Sequence, residues 1–351
     1  MRLYFFTGTG NSYWAAKYIA SLAADESIDS KVIAIDKLPA SQVPPGSSGS
    51  LTGFVFPTHG FSLPWYMLKF FLRYPRGKGR VFLVNNRAGM KMGKLFTPGI
   101  SGIAVHLPLI ILLLKGYSVA GTMPLDTPSN WISVHPGLKL KVIDSIFRRR
   151  EKDLRRLWEG ISSGKRFFPL KYILAIPLDI ALVPVSVMYM LFGRLILARS
   201  YFSDENCDGC TICAERCPVG AISMKKGKPY WSYRCESCMR CSNICPKKSV
   251  NSSVPIMIMV SWVIIKISSY TGPLRPFWLW LDGMTGRADW IVNYFVLWIF
   301  TLVLCFLIYN IIFLLARLPG ISLLISRTTP SHWWRHYMAP GFRGRYKEPG
   351  R

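Results

Sequence analysis

The sequence predicts an α/β domain with a doubly wound parallel sheet, then a small α+β domain organised by cysteines, then C-terminal transmembrane helices. Three observations carry that prediction. Short apolar runs at residues 1–6, 31–35, 51–56, 80–85 and 116–120 alternate with helix-length segments. That is the βαβ rhythm of a parallel sheet covered on both faces. Eight of the nine cysteines fall into two copies of one spacing. Long uncharged stretches occupy the last third of the chain, and residues 291–316 are long enough to cross a bilayer. The expected division is a sheet domain at 1–165, an apolar interfacial or re-entrant segment at 166–200 and a cysteine domain at 201–253. A membrane helical hairpin at 254–316 and a basic, aromatic tail at 317–351 complete it.

Residues 1–6 read as a buried strand. Thr7, Gly8, Thr9, Gly10, Asn11 and Ser12 follow it, and an amphipathic helix follows them. A strand, a short hydroxyl-and-glycine loop and a helix gather backbone N–H groups and hydroxyls around an anion. The Gly-Lys-Ser/Thr ending of a nucleoside-triphosphate loop is missing. Pro57-Thr58-His59-Gly60-Phe61-Ser62-Leu63-Pro64 follows the third strand, and Asn85-Asn86-Arg87-Ala88-Gly89 follows the fourth.

On these three segments the first domain resembles the flavodoxin family, whose FMN sits at the carboxyl ends of the strands, at the topological switch point. The resemblance implies FMN, with its phosphate on Thr7, Gly8, Thr9, Gly10, Asn11 and Ser12 and its ring near His59, Gly60, Asn86 and Gly89. Two positions depart from the family pattern. His59 stands where a tyrosine is frequent, and Asn85-Asn86-Arg87 replaces a glycine-rich turn.

The cysteine copies read Cys207-x2-Cys210-x2-Cys213-x3-Cys217-Pro218 and Cys235-x2-Cys238-x2-Cys241-x3-Cys245-Pro246. Three thiolates at this interval wrap one face of a cubane, and the fourth, before proline, is carried to the other cluster. The expected ligands are Cys207, Cys210, Cys213 and Cys245 for one [4Fe–4S] centre. Cys235, Cys238, Cys241 and Cys217 are those of the second. Zinc sites pair short C-x2-C hooks across a spacer, which neither copy does. A disulfide framework implies a small secreted domain, and no cleavable signal pattern opens the sequence. Residues 221–231 read as the hairpin joining the two halves, with Val219, Ile222 and Val250 packing around the centres. Cys305, alone in an apolar run, reads as a buried thiol. Taken with the first domain, the order resembles a flavodoxin–dicluster-ferredoxin fusion, over roughly residues 1–250.

The remaining segments concern the membrane. The chain carries a formal net charge of +26 with 50% apolar residues. The basic blocks lie beside apolar runs, which fits an anionic lipid surface and not nucleic acid. Residues 100–114 are apolar nearly all round but too short to span, with Pro108 set to kink them and His106 read as a packing residue. Residues 147–164 read as a charged helix, either solvated or facing the membrane. Residues 172–197 hold Pro177 and Pro184, so they read as a bent interfacial pair with Asp179 at the water boundary. A single crossing there would separate the two redox modules. Residues 255–267 and 291–316, with Trp290, Trp298, Tyr270 and Tyr309 as interface aromatics, read as a hairpin. Basic flanks place both of its ends on the cytoplasmic side of the cytoplasmic membrane. The tail reads as an interfacial anchor.

The resulting expectation is a membrane-attached electron carrier with two [4Fe–4S] clusters and FMN. It would exchange electrons with redox protein partners and touch membrane lipids. The competing reading is an iron–sulfur relay or assembly subunit without flavin, in a larger membrane redox complex.

Overall fold

The computed structural model describes residues 1–38, 42–92, 95–269, 272–285 and 290–342. The first domain runs β1 (Arg2–Phe5), α1 (Asn11–Asp25), β2 (Lys31–Ala34), β3 (Leu51–Pro57), α2 (Trp65–Arg73) and β4 (Arg80–Met92). It continues with β5 (Leu95–Thr97), α3 (Ile103–Leu114), β6 (Ser118–Pro128) and α4 (Leu140–Ser162). The parallel strands lie in the order β2-β1-β3-β4-β6, with β5 folded back antiparallel on the end of β4. This is the flavodoxin-like order, whose switch point lies between β1 and β3.

Alternation along the strands builds two cores. Tyr4, Phe6, Phe54, Phe56 and Leu83 face one way, under α2 and α3, while Leu3, Phe5, Val55, Phe82 and Val84 face the other, under α1 and α4. Side chains at period 2 point to opposite faces, so a strand buried on both must be apolar throughout. The helix predicted at 147–164 starts earlier, at Leu140, and is neither solvated nor lipid-facing along its inner side. Leu154, Leu157, Trp158 and Ile161 pack on the sheet. Arg150 is buried between Asp126 and Asp153, at 3.3 and 2.8 Å. Charge density along the sequence hid this apolar stripe.

Strands β4 and β6 run on past the edge expected for them. They stay paired out to Gly89 and Pro128, so the third expected loop is strand. Arg87 and Asp126 clasp across this extension at 2.6 Å.

The bent segment holds α5 (Leu170–Ile173), α6 (Ile176–Ala181), α7 (Val183–Met188), a π-helical turn (Tyr189–Gly193) and α8 (Arg194–Arg199). Its two arms meet at 70°. Asp179 is not at a water boundary. It is 1% exposed, accepts from the Gly102 N–H at 2.8 Å, and lies 3.0 Å from His106 Nε2. His106 thus belongs to a polar chain that continues to the Tyr172 hydroxyl, since a buried carboxylate needs partners.

The cysteine domain is β7 (Tyr201–Ser203), α9 (Ile212–Glu215), β8 (Ile222–Lys225), β9 (Lys228–Trp231), α10 (Arg240–Ile244) and β10 (Val250–Ser252). Strands β8 and β9 form the hairpin between the two copies. Left-handed residues recur at the same points of each copy: Gly209 and Ser237, Thr211 and Met239, Gly220 and Lys248. Four of these six are not glycine. A conformation that costs an L-residue free energy persists where its surroundings over-determine it.

Beyond lie α11 (Val254–Ser268), α12 (Arg275–Thr285), α13 (Trp290–Leu315) and α14 (Pro319–Thr328). Residues Phe295–Leu315 are long and apolar enough to cross a membrane, spanning about 31 Å at helical rise. Helix α11, at 15 residues, reaches only about 22 Å. Ser261 and Tyr309 join α11 to α13 through their hydroxyls at 2.7 Å. The inner end of α13 docks on the cysteine domain. Phe313 meets Tyr230 edge-on, and the Arg199 guanidinium lies 4.8 Å from the Phe313 ring and 4.1 Å from that of Tyr233. Tyr270, Thr271 and residues 286–289 lie outside the described residues, as do the side chains of Trp290, Trp298 and Cys305.

Much of the described tail packs on protein, although Trp333 stays 68% exposed. Residues 330–342 fold back over the sheet domain and the cysteine domain and bury Ser331, Tyr337, Ala339 and Phe342. Ala339 N–H donates to Thr9 O at 2.8 Å, and Tyr337 N–H to Asn243 Oδ1 at 2.6 Å. Aromatic side chains suited to an interface also suit a protein seam. Residues 343–351 lie outside the described residues.

Candidate cofactor site

The eight cysteines divide into two small hollows. One is lined by Cys207, Cys210, Cys213 and Cys245, the other by Cys217, Cys235, Cys238 and Cys241. Each therefore takes three thiols from one copy and the fourth from the other, the crossing that the spacing predicts. Pro246 edges the first hollow and Pro218 the second. Val219 and Ile222 line the second, and Val250 the first. Burial, with neighbouring thiols adding to it, pushes Cys213 up to about 12 and Cys238 up to about 11. Four such thiols resist sharing a hollow as anions unless a cationic centre compensates them. Backbone N–H groups of Ala221 and Ser237 point at Cys217 and Cys235 Sγ, at 3.2 and 3.4 Å, and such bonds tune cluster potential. The donor set fits [4Fe–4S] chemistry.

The second hollow sits against the carboxyl edge of the sheet. A Cβ on Gly8 would stand 2.2 Å from Cys238 O, so the cluster loop and the first loop touch backbone to backbone. Arg240, 3% exposed, donates through Nε to Gly8 O at 2.7 Å and through NH2 to Thr7 O at 2.6 Å. Glu236 accepts from the N–H groups of Trp65 and Tyr66, at 2.9 and 2.7 Å, at the start of α2. Burial raises its carboxyl to about 6, against the pull of those two donors. Asn130 donates to both Thr9 Oγ1 at 2.9 Å and Cys238 O at 3.4 Å. The His59 ring lies near the Glu236 backbone. The loops after β1 and β6 and the start of α2 thus all grip the same six residues, 235–240.

Around these loops opens a cavity of about 900 Å³. Thr7, Gly8, Thr9, Asn11, Ser12, His59, Gly60 and Asn86 line it; Gly10 and Gly89 do not. Gly10 packs on the Phe342 ring, and Gly89 lies against Asp126 in the β4–β6 extension. Gly60 is required for another reason. It has φ +53°, and a Cβ there would stand 2.2 Å from the Tyr189 ring. The first turn of α1 has no side-chain cap, which leaves the early N–H groups for an anion. Asn86 Oδ1, His59 Nδ1 and Ser237 Oγ are buried without a partner among the described residues. The unpartnered Asn86 Oδ1 and His59 Nδ1 in a roomy cavity match a ligand that carries both N–H and carbonyl groups, as an isoalloxazine ring does. The residues fit FMN.

Burial lowers the His59 imidazole to about 4, and the nearby Glu236 backbone only partly offsets this. The ring is therefore neutral near pH 7. Because its folded pKa lies below the unfolded value, the stability it contributes is complete above about pH 6.5 and is lost as pH falls towards 4. Urea midpoints at about pH 7.5 and 5.5 are expected to differ less in His59→Gln than in the wild type. The expected narrowing is roughly 1 kcal/mol, from one pH unit below the unfolded value.

Sequence reasoning missed Arg240, Asn130, Glu236 and Ser237. Arg240 and Glu236 sit among the cysteines, where a buried charge beside a ligand was the available signal.

A family model described as "4Fe-4S dicluster domain" matches residues 206–250. NADH-quinone oxidoreductase subunit I from Psychrobacter cryohalolentis is 48% identical over 46 residues, 13% of this chain and 25% of that protein. The same subunit from Tolumonas auensis is 44% identical over 46 residues, covering 13% and 24%. The chain spans about a quarter of the length of these curated relatives. Among solved structures, Megasphaera elsdenii flavodoxin shares 17% identity at a TM-score of 0.26, covering 35% of this chain and 83% of that one. Flavodoxin 1 from Bacillus cereus shares 16% at 0.29, covering 44% and 96%. These last likenesses add nothing to the fold already read from the strand order. An iron–sulfur domain and a flavodoxin-like domain share this chain, and together they support a role in electron transfer.

Proposed function

We propose that this chain is a membrane-attached electron carrier holding two [4Fe–4S] clusters and FMN. Its eight cysteines would divide crosswise as described, and Thr7, Gly8, Thr9, Asn11 and Ser12 would hold the phosphate. His59, Gly60 and Asn86 would border the ring. When bound, FMN exchanges electrons in pairs or singly and each cluster carries one, so the three groups together match two-electron to one-electron chemistry. The single observation that carries the reading is the grip of two sheet loops and the start of α2 on residues 235–240, through Gly8, Asn130, Trp65 and Tyr66.

The protein's part is positioning. Arg240 draws the carbonyls of Thr7 and Gly8 towards the cluster loop. Glu236 fixes the start of α2, and the tail covers the seam. One polypeptide makes the encounter intramolecular, which raises effective concentration without any new contact. Membrane attachment is supported by α13 and by exposed apolar side chains elsewhere, among them Leu114, Leu174, Ile180, Ile258 and Trp262. An apolar surface of this extent is rare on a soluble monomer. Both redox domains would sit on the cytoplasmic side, next to redox protein partners and clear of nucleic acid.

Anaerobic purification from detergent tests the assignment on one sample. About eight iron, eight sulfide and one flavin per chain are expected. Asn86→Ala is expected to keep the iron and to weaken flavin binding by about tenfold, for the loss of one buried hydrogen bond. Full iron without flavin would favour the flavin-free relay. Zinc, or no sulfide, would defeat the proposal.

A further inference from the structure

The cavity does not end at the strand edge. It continues between the bent segment and α11, past Val185, Ile196, Leu197, Met257, Ile258 and Trp262. Ile258 and Trp262 are also 65% and 60% exposed, so the outer mouth opens on an apolar face of the molecule. The inner end is polar. There Ser237 Oγ, on the loop between Cys235 and Cys238, is buried without a partner beside Asn86 Oδ1 and His59 Nδ1. The outer wall is held in shape, because the Tyr309 hydroxyl donates to Met257 O at 2.7 Å and meets Ser261 Oγ at the same distance. One continuous space therefore joins orphaned polar atoms beside a redox centre to an apolar doorway.

We propose that the outer lobe is a binding site for a quinone-class molecule, a flat carbonyl-bearing ring on an apolar tail. It enters from the bilayer between the bent segment and α11, on the side of Val185. A ring carbonyl can accept from Ser237 Oγ, and the tail can leave along Ile258 and Trp262. A hydrocarbon chain alone fills the doorway and leaves the inner hydroxyl orphaned, which is unfavourable. A fatty acid meets both ends and is the rival occupant that decanoic acid represents in the test. A water-soluble carrier satisfies the inner end and has no use for an apolar mouth. The whole space of about 900 Å³, which includes the part proposed for FMN, lies within the range of small-molecule sites. The inference rests on membrane attachment and does not require the flavin.

The test uses the full chain in phosphatidylcholine–phosphatidylglycerol nanodiscs with a photoactivatable decyl-quinone, and label is located by mass spectrometry. Label is expected on α11 between Met257 and Ile265, and decyl-ubiquinone should suppress it while decanoic acid of equal concentration does not. Ile258→Trp, which narrows the mouth, is expected to cut labelling about tenfold. Ile311→Trp, on the exposed side of α13 and away from the cavity, should leave it unchanged. Equal suppression by decanoic acid, or label spread over the apolar surface without competition, would overturn the site. Flavin extraction and vesicle co-sedimentation on the same sample report separately on the carrier reading. Loss of flavin with labelling intact defeats that reading alone, and co-sedimentation without specific labelling defeats this one.

Discussion

Cys245→Ser is expected to strip the cluster of the first cysteine copy and to spare that of its own copy. Cys245 lines the hollow of Cys207, Cys210 and Cys213, whereas Cys238 and Cys241 share theirs with Cys217. Iron should fall from about eight to about four per chain, the content of one cubane. The surviving centre is the one pressed against Gly8, so flavin binding should persist. Cys217→Ser should reverse the outcome. It removes the cluster beside the sheet loops, and with it the order of residues 235–240 on which those loops rest. Iron again halves, but flavin affinity drops as well. Iron and sulfide assays with visible spectra distinguish the two variants. If each serine removed the cluster of its own copy, the crosswise division would be wrong.

Arg240→Ala is the second large effect. Its guanidinium holds Gly8 O, Thr7 O and Arg216 O, at 2.7, 2.6 and 2.9 Å. Hydrogen bonds from a buried charge are each worth about 1.5–3 kcal/mol, and carbonyls left unpaired add their own cost. A net loss of about 3 kcal/mol is a cautious sum, because couplings within one network do not add. Melting should fall, and flavin should bind at least about tenfold more weakly. The cysteines of both hollows remain in place, so iron content should hold. Arg240→Lys keeps the charge but not the planar fork, and is expected to recover part of the stability and little of the flavin affinity. Unchanged flavin affinity in Arg240→Ala would mean that the seam does not set the loop.

The cluster division was legible because it is local. Four thiols at fixed spacing leave little freedom, and the recurring left-handed residues at 209 and 237, 211 and 239 are the backbone expression of the same repeat. The parallel sheet was legible from apolar strands at regular intervals, and so was the position of the first two loops. The seam was not. Arg240 and Thr7 lie 233 residues apart and Asn130 and Cys238 lie 108 apart, and no periodicity links residues at such distances. The tail misled for a related reason: Tyr337 and Phe342 look the same in sequence whether they meet lipid or protein. His106 and Asp179 were read singly because their pairing needs the bent segment to fold onto α3. The third loop was misplaced because strands β4 and β6 pair beyond the sheet edge, and a strand's end is set by its partner as much as by its own residues.

The most direct test of a cluster built into the flavin loops is a flash-reduction experiment on the anaerobic protein carrying both groups, over a wide range of protein concentration. Electron exchange between flavin and clusters is predicted to be first order, with a rate constant that does not change on dilution and that collapses in Cys217→Ser. A rate proportional to protein concentration would show that the two groups meet only by collision, and would contradict the account.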